Sequence, residues 1–297
     1  VNGLLTSLAG LENLLSIGAG AIPGVGLYLQ GSSIVDVAAL ASIQHIESLI
    51  IRDNANLASL AGLSGLTGLE GRLVIERNAL LTNLSGLEGI SIVGNNTSYP
   101  EWNGNLDLNA NPVLTDLSGL SGITSIRGFL GIRENAALVS LSGLNNVQSV
   151  GAPLHLSANP ALASLDGLSG VQTIGRDLGI WNNGSLSNLD MPALASIGGD
   201  LSISGNAAAG VNMPLLTSIG ASLWLNGSNL QSLDGLSALT TIGYELGIWS
   251  SALTSLNLTA LTSIGNNFAL STNESLLSVS LSGVQTIGRD LGIWNNG

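Results

Sequence analysis

Leu162–Ile180 reads LASLDGLSGVQTIGRDLGI, and its spacing decides the fold. Apolar residues fall at 162, 165, 168, 171 and 174, one every three, then at 178 and 180. The closing Leu-x-Ile dyad has period two, as a short strand does, with two residues facing inward and one outward. The three-residue spacing before it suits short strands and tight corners better than an amphipathic helix. No ten-residue helix fits between dyads.

Working outward, the dyad recurs along the chain. It starts at Leu27, Leu49, Leu73, Leu106, Leu130, Leu154, Leu178, Leu201, Leu223, Leu246, Phe268 and Leu291. Steps are 22–24 residues, except one of 33 that carries an insertion at about 94–102. A fixed period of this kind marks a repeat architecture. We expect one continuous all-β solenoid over 1–297, of about 12 turns of 22–24 residues. At a strand spacing of ~4.8 Å it would be a rod roughly 55–60 Å long.

Two further columns keep the same phase. Gly follows the third apolar corner at Gly151, Gly175, Gly198, Gly220, Gly243, Gly265 and Gly288, which implies a positive φ or close approach of the next coil. Three residues after the dyad stand Asn54, Asn78, Asn111, Asn135, Asn159, Asn183, Asn206, Asn273 and Asn296, with Ser32, Ser228 and Ser251 completing the column. Asn repeated at one corner predicts a buried ladder of side-chain amides bonding the backbone and one another.

Composition excludes several classes. With 45% hydrophobic and 9% charged residues, the chain is not of the disordered type. The absence of cysteine rules out a disulfide scaffold. A net charge of −12, with all basic residues Arg, repels phosphate backbones and anionic lipid heads, so neither nucleic acid nor membrane insertion is expected. The longest apolar stretch, 17–29, is too short and too broken by Gly and Pro to span a bilayer. No P-loop, dinucleotide fingerprint or metal-ligand motif is present, so no cofactor and no metal is expected.

The pattern L-x-S-L-x-G-L-x-x-L-x-x-I-G-x-x-L-x-I, as in Leu162–Ile180, resembles the receptor L-domain type of leucine-rich repeat. That family includes the ligand-binding domains of insulin- and EGF-receptor-like proteins and fungal cell-wall glycoproteins. The resemblance implies a right-handed, parallel β-helix-like solenoid on an extracellular protein. Receptor L domains are shorter and contain cysteine, so the resemblance favours a wall, matrix or adhesin role.

Leu168–Gly184 and Leu281–Gly297 are identical over 17 residues, LSGVQTIGRDLGIWNNG, offset by 113. Copying of this kind suits a length-giving array. Asn2 and Asn296 stand at the same phase near the two termini, and neither end carries a polar cap. From this we expect an internal stretch of a longer array, or a unit that stacks end to end.

Outward positions of the strands supply the candidate binding surface. Three turns read Asp177-Gly179-Trp181, Glu245-Gly247-Trp249 and Asp290-Gly292-Trp294, and Asp200 and Trp224 lie in neighbouring turns. Exposed indoles stack on sugar rings while carboxylates bond hydroxyls, so a glycan or a surface protein is a candidate ligand. The alternative is that each Trp packs over a Gly of a neighbouring strand. Asp177 and Asp200 share a column and could hold Ca²⁺ or act in glycoside hydrolysis. A solvated acidic face is the simpler account, and no catalytic residue is assigned. His45 and His155 are remote in sequence, and nothing supports a Ser-His-Asp site. A Ser/Thr column (Ser125, Ser149, Thr173, Ser196, Ser218, Thr241, Ser263, Thr286) reads as a solvated sheet face. Sequons stand at Asn83, Asn95, Asn96, Asn183, Asn226, Asn257 and Asn273. Asn183 and Asn273 belong to the ladder, which leaves Asn95 and Asn96, in the insertion, as the most accessible acceptors, followed by Asn83, Asn226 and Asn257. The expectation is a non-enzymatic, extracellular structural or adhesive solenoid, with ligand binding as the alternative.

Overall fold

The computed structural model describes residues 3–18, 25–94 and 104–297. Most of the insertion, with Asn95 and Asn96, lies outside the described residues, as does Asn2. The chain is an all-β parallel solenoid, with short 3-10 turns such as Asp166–Leu168 as its helical content among the described residues. Among the described residues no helix is long and apolar enough to cross a membrane. The chain divides into two compact units, Val1–Ala152 and Pro153–Gly297.

In the first unit the dyads form the strands Leu27–Gln30, Leu49–Arg52, Leu73–Glu76, Leu106–Asn109 and Leu130–Arg133. They pair parallel and in register, as in Leu49↔Leu73 and Ile51↔Ile75. In the second unit seven such strands run from Leu154–Ser157 to Leu291–Trp294, again in register (Leu178↔Leu201, Ile180↔Ile203). The third apolar corner of each turn sits in a two-residue strand, for example Thr173–Ile174 beside Ser196–Ile197. Register is fixed because a one-residue slip would turn each leucine to solvent.

One coil shows where the core lies. Leu162, Leu165, Leu168, Val171, Leu178 and Ile180 are 0% exposed and Ile174 is 1% exposed. All seven point into the coil, so the interior is a stack of identical leucine layers, each covered by the layers beside it.

The Gly column is explained by close approach. None of Gly198, Gly220, Gly243, Gly265 or Gly288 has a positive φ. A Cβ on each would overlap the carbonyl of the Gly one turn before, from Gly175 through Gly265. Positive φ falls instead on residues just before the Asn column: Asp53, Arg77, Ala110, Glu134, Ala158, Asn182, Ser250, Thr272 and Asn295, with φ of 50 to 58°. A left-handed residue with a Cβ costs about 1–2 kcal/mol, so each corner needs a compensating interaction.

Candidate functional site

The second unit presents the outward face on which the four tryptophans were placed. Trp181 lies over Gly179, two residues back in its own strand, where a Cβ would run into the indole. Its ring meets His155 at 4.9 Å, and its Nε1–H donates to Ser202 Oγ at 2.8 Å. Trp249 and Trp294 repeat the arrangement over Gly247 and Gly292. Trp224 occupies the adjacent column, opposite Gly247, and stacks on Trp249 at 5.1 Å and 17°. Glycine in the middle of the strand is therefore the seat of an indole. For Trp181, Trp249 and Trp294 that seat is within the strand; only Trp224 reaches across to a neighbouring one. Trp181, Trp224 and Trp249 are half-buried, and Trp294 is exposed.

The acidic residues bond the next coil. Asp177 Oδ1 accepts the Asp200 N–H at 2.9 Å, and Asp200 Oδ1 accepts the Ser222 N–H at 2.7 Å. Further along the column, Asn267 Nδ2 donates to Glu245 Oε2 at 3.3 Å, and Asn267 Oδ1 accepts the Asp290 N–H at 3.3 Å. Asp177 and Asp200 thus act as caps on the backbone of the neighbouring turn.

The Asn column forms a second and deeper ladder. Within the first unit, Asn54 N–H donates to Asn78 Oδ1, Asn78 N–H to Asn111 Oδ1 and Asn111 N–H to Asn135 Oδ1. Within the second, Asn159 N–H donates to Asn183 Oδ1, Asn183 N–H to Asn206 Oδ1 and Asn273 N–H to Asn296 Oδ1. The amide Nδ2 of Asn54, Asn78, Asn111, Asn135, Asn183, Asn206, Asn273 and Asn296 also donates to a strand carbonyl of the turn before, as Asn206 does to Ile180 O at 2.9 Å. A second bond to the carbonyl two residues back, as from Asn206 to Ser204 O, brackets the left-handed corner residue. These bonds offset the strain there.

Serine interrupts this column. Ser251 keeps the link to Asn273 Oδ1, through its N–H at 3.0 Å and its hydroxyl at 2.6 Å. Ser228 Oγ is buried with no hydrogen-bond partner. The two serines, with Asn229, Thr272 and Glu274, line an open polar cleft of about 440 Å³. Of the sequons, Asn226 and Asn257 are exposed, whereas Asn83 is half-buried with its Oδ1 accepting the Ser85 N–H.

The first unit carries charge on the equivalent face. Arg52 pairs with Glu76 at 3.5 Å, Arg77 with both Asp53 and Glu76, and Arg133 with Asp107 at 2.9 Å. The hydrogen bond from Arg77 holds the Asp53 carboxyl below its ordinary range. Burial pushes Asp107 up, against the pull of Arg133. The Arg133 guanidinium also lies 5.4 Å from the Phe129 ring centroid. The sequence reading assigned no role to these residues, nor to a cluster of His45, Glu47 and Glu70 whose donor atoms lie within 4.8 Å of one another. The period could have found that cluster, since Glu47 and Glu70 both follow a third apolar corner.

No family model and no curated protein matches the chain. Among solved structures it is similar to the functional domain of InlJ from Listeria monocytogenes, described as including a cysteine ladder. The identity is 21%, the TM-score 0.38, and the match covers 93% of this chain and 55% of that one. The chain therefore spans about half the length of the protein it matches.

Proposed function

We propose that this chain is a non-catalytic, structural or adhesive solenoid of an extracellular surface, built to add coils and to self-associate. One observation carries the reading. The side chains that looked most like a site are hydrogen-bonded turn to turn, Asp177 and Asp200 to backbone amides and Trp181 to Ser202, while the Trp181 indole also packs on Gly179 of its own strand. What is left outward on this face of the second unit, among the described residues, is a row of sheet strands and a few indole faces, a surface suited to contact. Within residues 1–297, Leu291 and Ile293 are 58% and 54% exposed, an apolar layer on which a coil fits, either from the same chain or from a second copy. Sedimentation over a range of concentrations, with electron microscopy, tests this. Assembly that is lost in Leu291→Glu supports it, and a 30.0 kDa monomer at every concentration contradicts it.

A second reading is glycan recognition, favoured by the half-buried indoles seated flat on glycine. Affinity electrophoresis in polysaccharide gels tests that reading. Retardation that disappears in Trp181→Ala and Trp249→Ala would support it, and mobility equal to that of the variants would remove it.

A further inference from the structure

We propose that His45, Glu47 and Glu70 bind one divalent transition-metal cation of the Zn²⁺ kind. The three residues come from two adjacent coils of the first unit. The strand His45–Ile46 pairs parallel with Gly68–Leu69, His45 opposite Gly68 and Ile46 opposite Leu69. The next residues along, Glu47 and Glu70, are thereby brought side by side. One imidazole nitrogen and two carboxylate oxygens lie within 4.8 Å of one another. A tetrahedral ion with bonds of about 2.0–2.1 Å separates its ligand atoms by roughly 3.3 Å, so small side-chain rotations close the site.

Departures from the repeat assemble this cluster. The position after the third apolar corner is Gly in seven successive turns, from Gly151 to Gly288, but Glu at 47 and 70. The position before that corner is mostly Ser or Thr, but His at 45 and Gly at 68. Gly68 makes room for the ring: a Cβ there would fall 2.5 Å from His45 Nδ1. Gly18 does the same for Glu47, whose Cβ would lie 2.8 Å from a Cβ at 18. Columns that elsewhere carry coil contacts here carry metal-ligating groups, with space cleared on both sides.

Burial and charge point the same way. Glu47 is 1% exposed, while His45 and Glu70 are half-buried, which leaves one side open for a water ligand. Two carboxylates held side by side repel each other, and a shared cation turns that repulsion into attraction. The imidazole selects against Ca²⁺ and Mg²⁺, which take oxygen ligands, and the absence of a thiolate selects against Cu(I).

The test uses the untagged 297-residue chain, stripped with chelator and titrated with ZnCl₂ by calorimetry and by NMR of the imidazoles. The chain has two histidines, so each ring can be followed in the wild-type protein. One equivalent should bind, moving the His45 resonances and leaving those of His155 in place. Affinity should fall tenfold or more in Glu70→Gln, a near-isosteric change at a half-buried side chain that leaves the melting temperature within a few degrees. Failure to bind Zn²⁺, displacement of His155 and not His45, equal affinity in Glu70→Gln, or CaCl₂ binding as tightly as ZnCl₂ would each overturn the proposal.

Discussion

The same 17 residues occupy two places in the second unit, and they do not behave alike. In Leu168–Gly184, Leu178 and Ile180 are 0% exposed; in Leu281–Gly297, their counterparts Leu291 and Ile293 are 58% and 54% exposed. Trp181 donates to Ser202, while Trp294, with the same Gly beneath it, is 47% exposed. Within residues 1–297 the first copy has a coil on both sides and the second has one side covered. Since sequence is held constant, the difference belongs to the neighbours. A coil of this protein has no core of its own; it has half of two shared ones.

Hydrogen bonding shows the same asymmetry. At the two ends of the dyad strand, backbone N–H groups donate to the turn that follows: Leu178 N–H to Asp200 O at 2.7 Å, and Asn182 N–H to Ser204 O at 3.0 Å, whereas at the third apolar corner they donate to the turn before, as Gly288 N–H does to Ile264 O. The ladder follows the direction of the dyad strand, with Asn183 N–H donating to Asn206 Oδ1. In the second copy the equivalent groups of Leu291, Asn295 and Asn296 have no following turn within residues 1–297.

Substitutions made in pairs can break or sharpen this contrast. Leu178→Ala should cost about 3 kcal/mol in urea denaturation, by lost transfer energy and the cavity left behind, whereas Leu291→Ala should cost under about 1 kcal/mol. Equal losses would mean that the coil carries its own stability. Next in size, Asn183→Ala removes bonds to Asn159, Leu156 O and Asn206, and strands buried polar groups at a left-handed corner. A loss of about 2–3 kcal/mol is expected there, against about 1 kcal/mol for half-buried Asn296→Ala, where water replaces the amide.

A gain comes third. Ser228→Asn should restore the missing amide, because the register of the column brings it to Ile203 O, as Asn206 is brought to Ile180 O. The unpaired Ser228 Oγ would go with it, and a rise in stability of about 1 kcal/mol is expected, read as a higher melting temperature. The smallest effect concerns the indoles. Ser202→Ala should cost under about 1 kcal/mol and red-shift part of the tryptophan emission, since it removes the hydrogen-bond partner of Trp181, one of five indoles in the chain.

The columns that govern the fold were legible because their residue types are fixed. Leucine at the dyads gave strand positions, and Asn at one phase gave the ladder. The Gly column was read with two candidate causes, and only backbone geometry could choose close approach. The left-handed corners were invisible because Asp53, Arg77, Ala110 and Thr272 share no side chain. Their common property is the amide that follows them. Trp224 looked equivalent to Trp181 in a list of outward residues, yet it stands one column over, which is why it stacks on Trp249. His45, Glu47 and Glu70 show only as departures from their columns, because this cluster is made of what the repeat drops.

Amide hydrogen exchange followed by NMR on the 297-residue chain tests the central claim, that neighbouring coils supply the stability of each turn. It resolves the two copies residue by residue. The account predicts that Leu178 and Asn182 exchange roughly a thousandfold more slowly than Leu291 and Asn295. Equal protection at the two copies would contradict it, because identical sequences would then be equally stable with and without a coil to follow them.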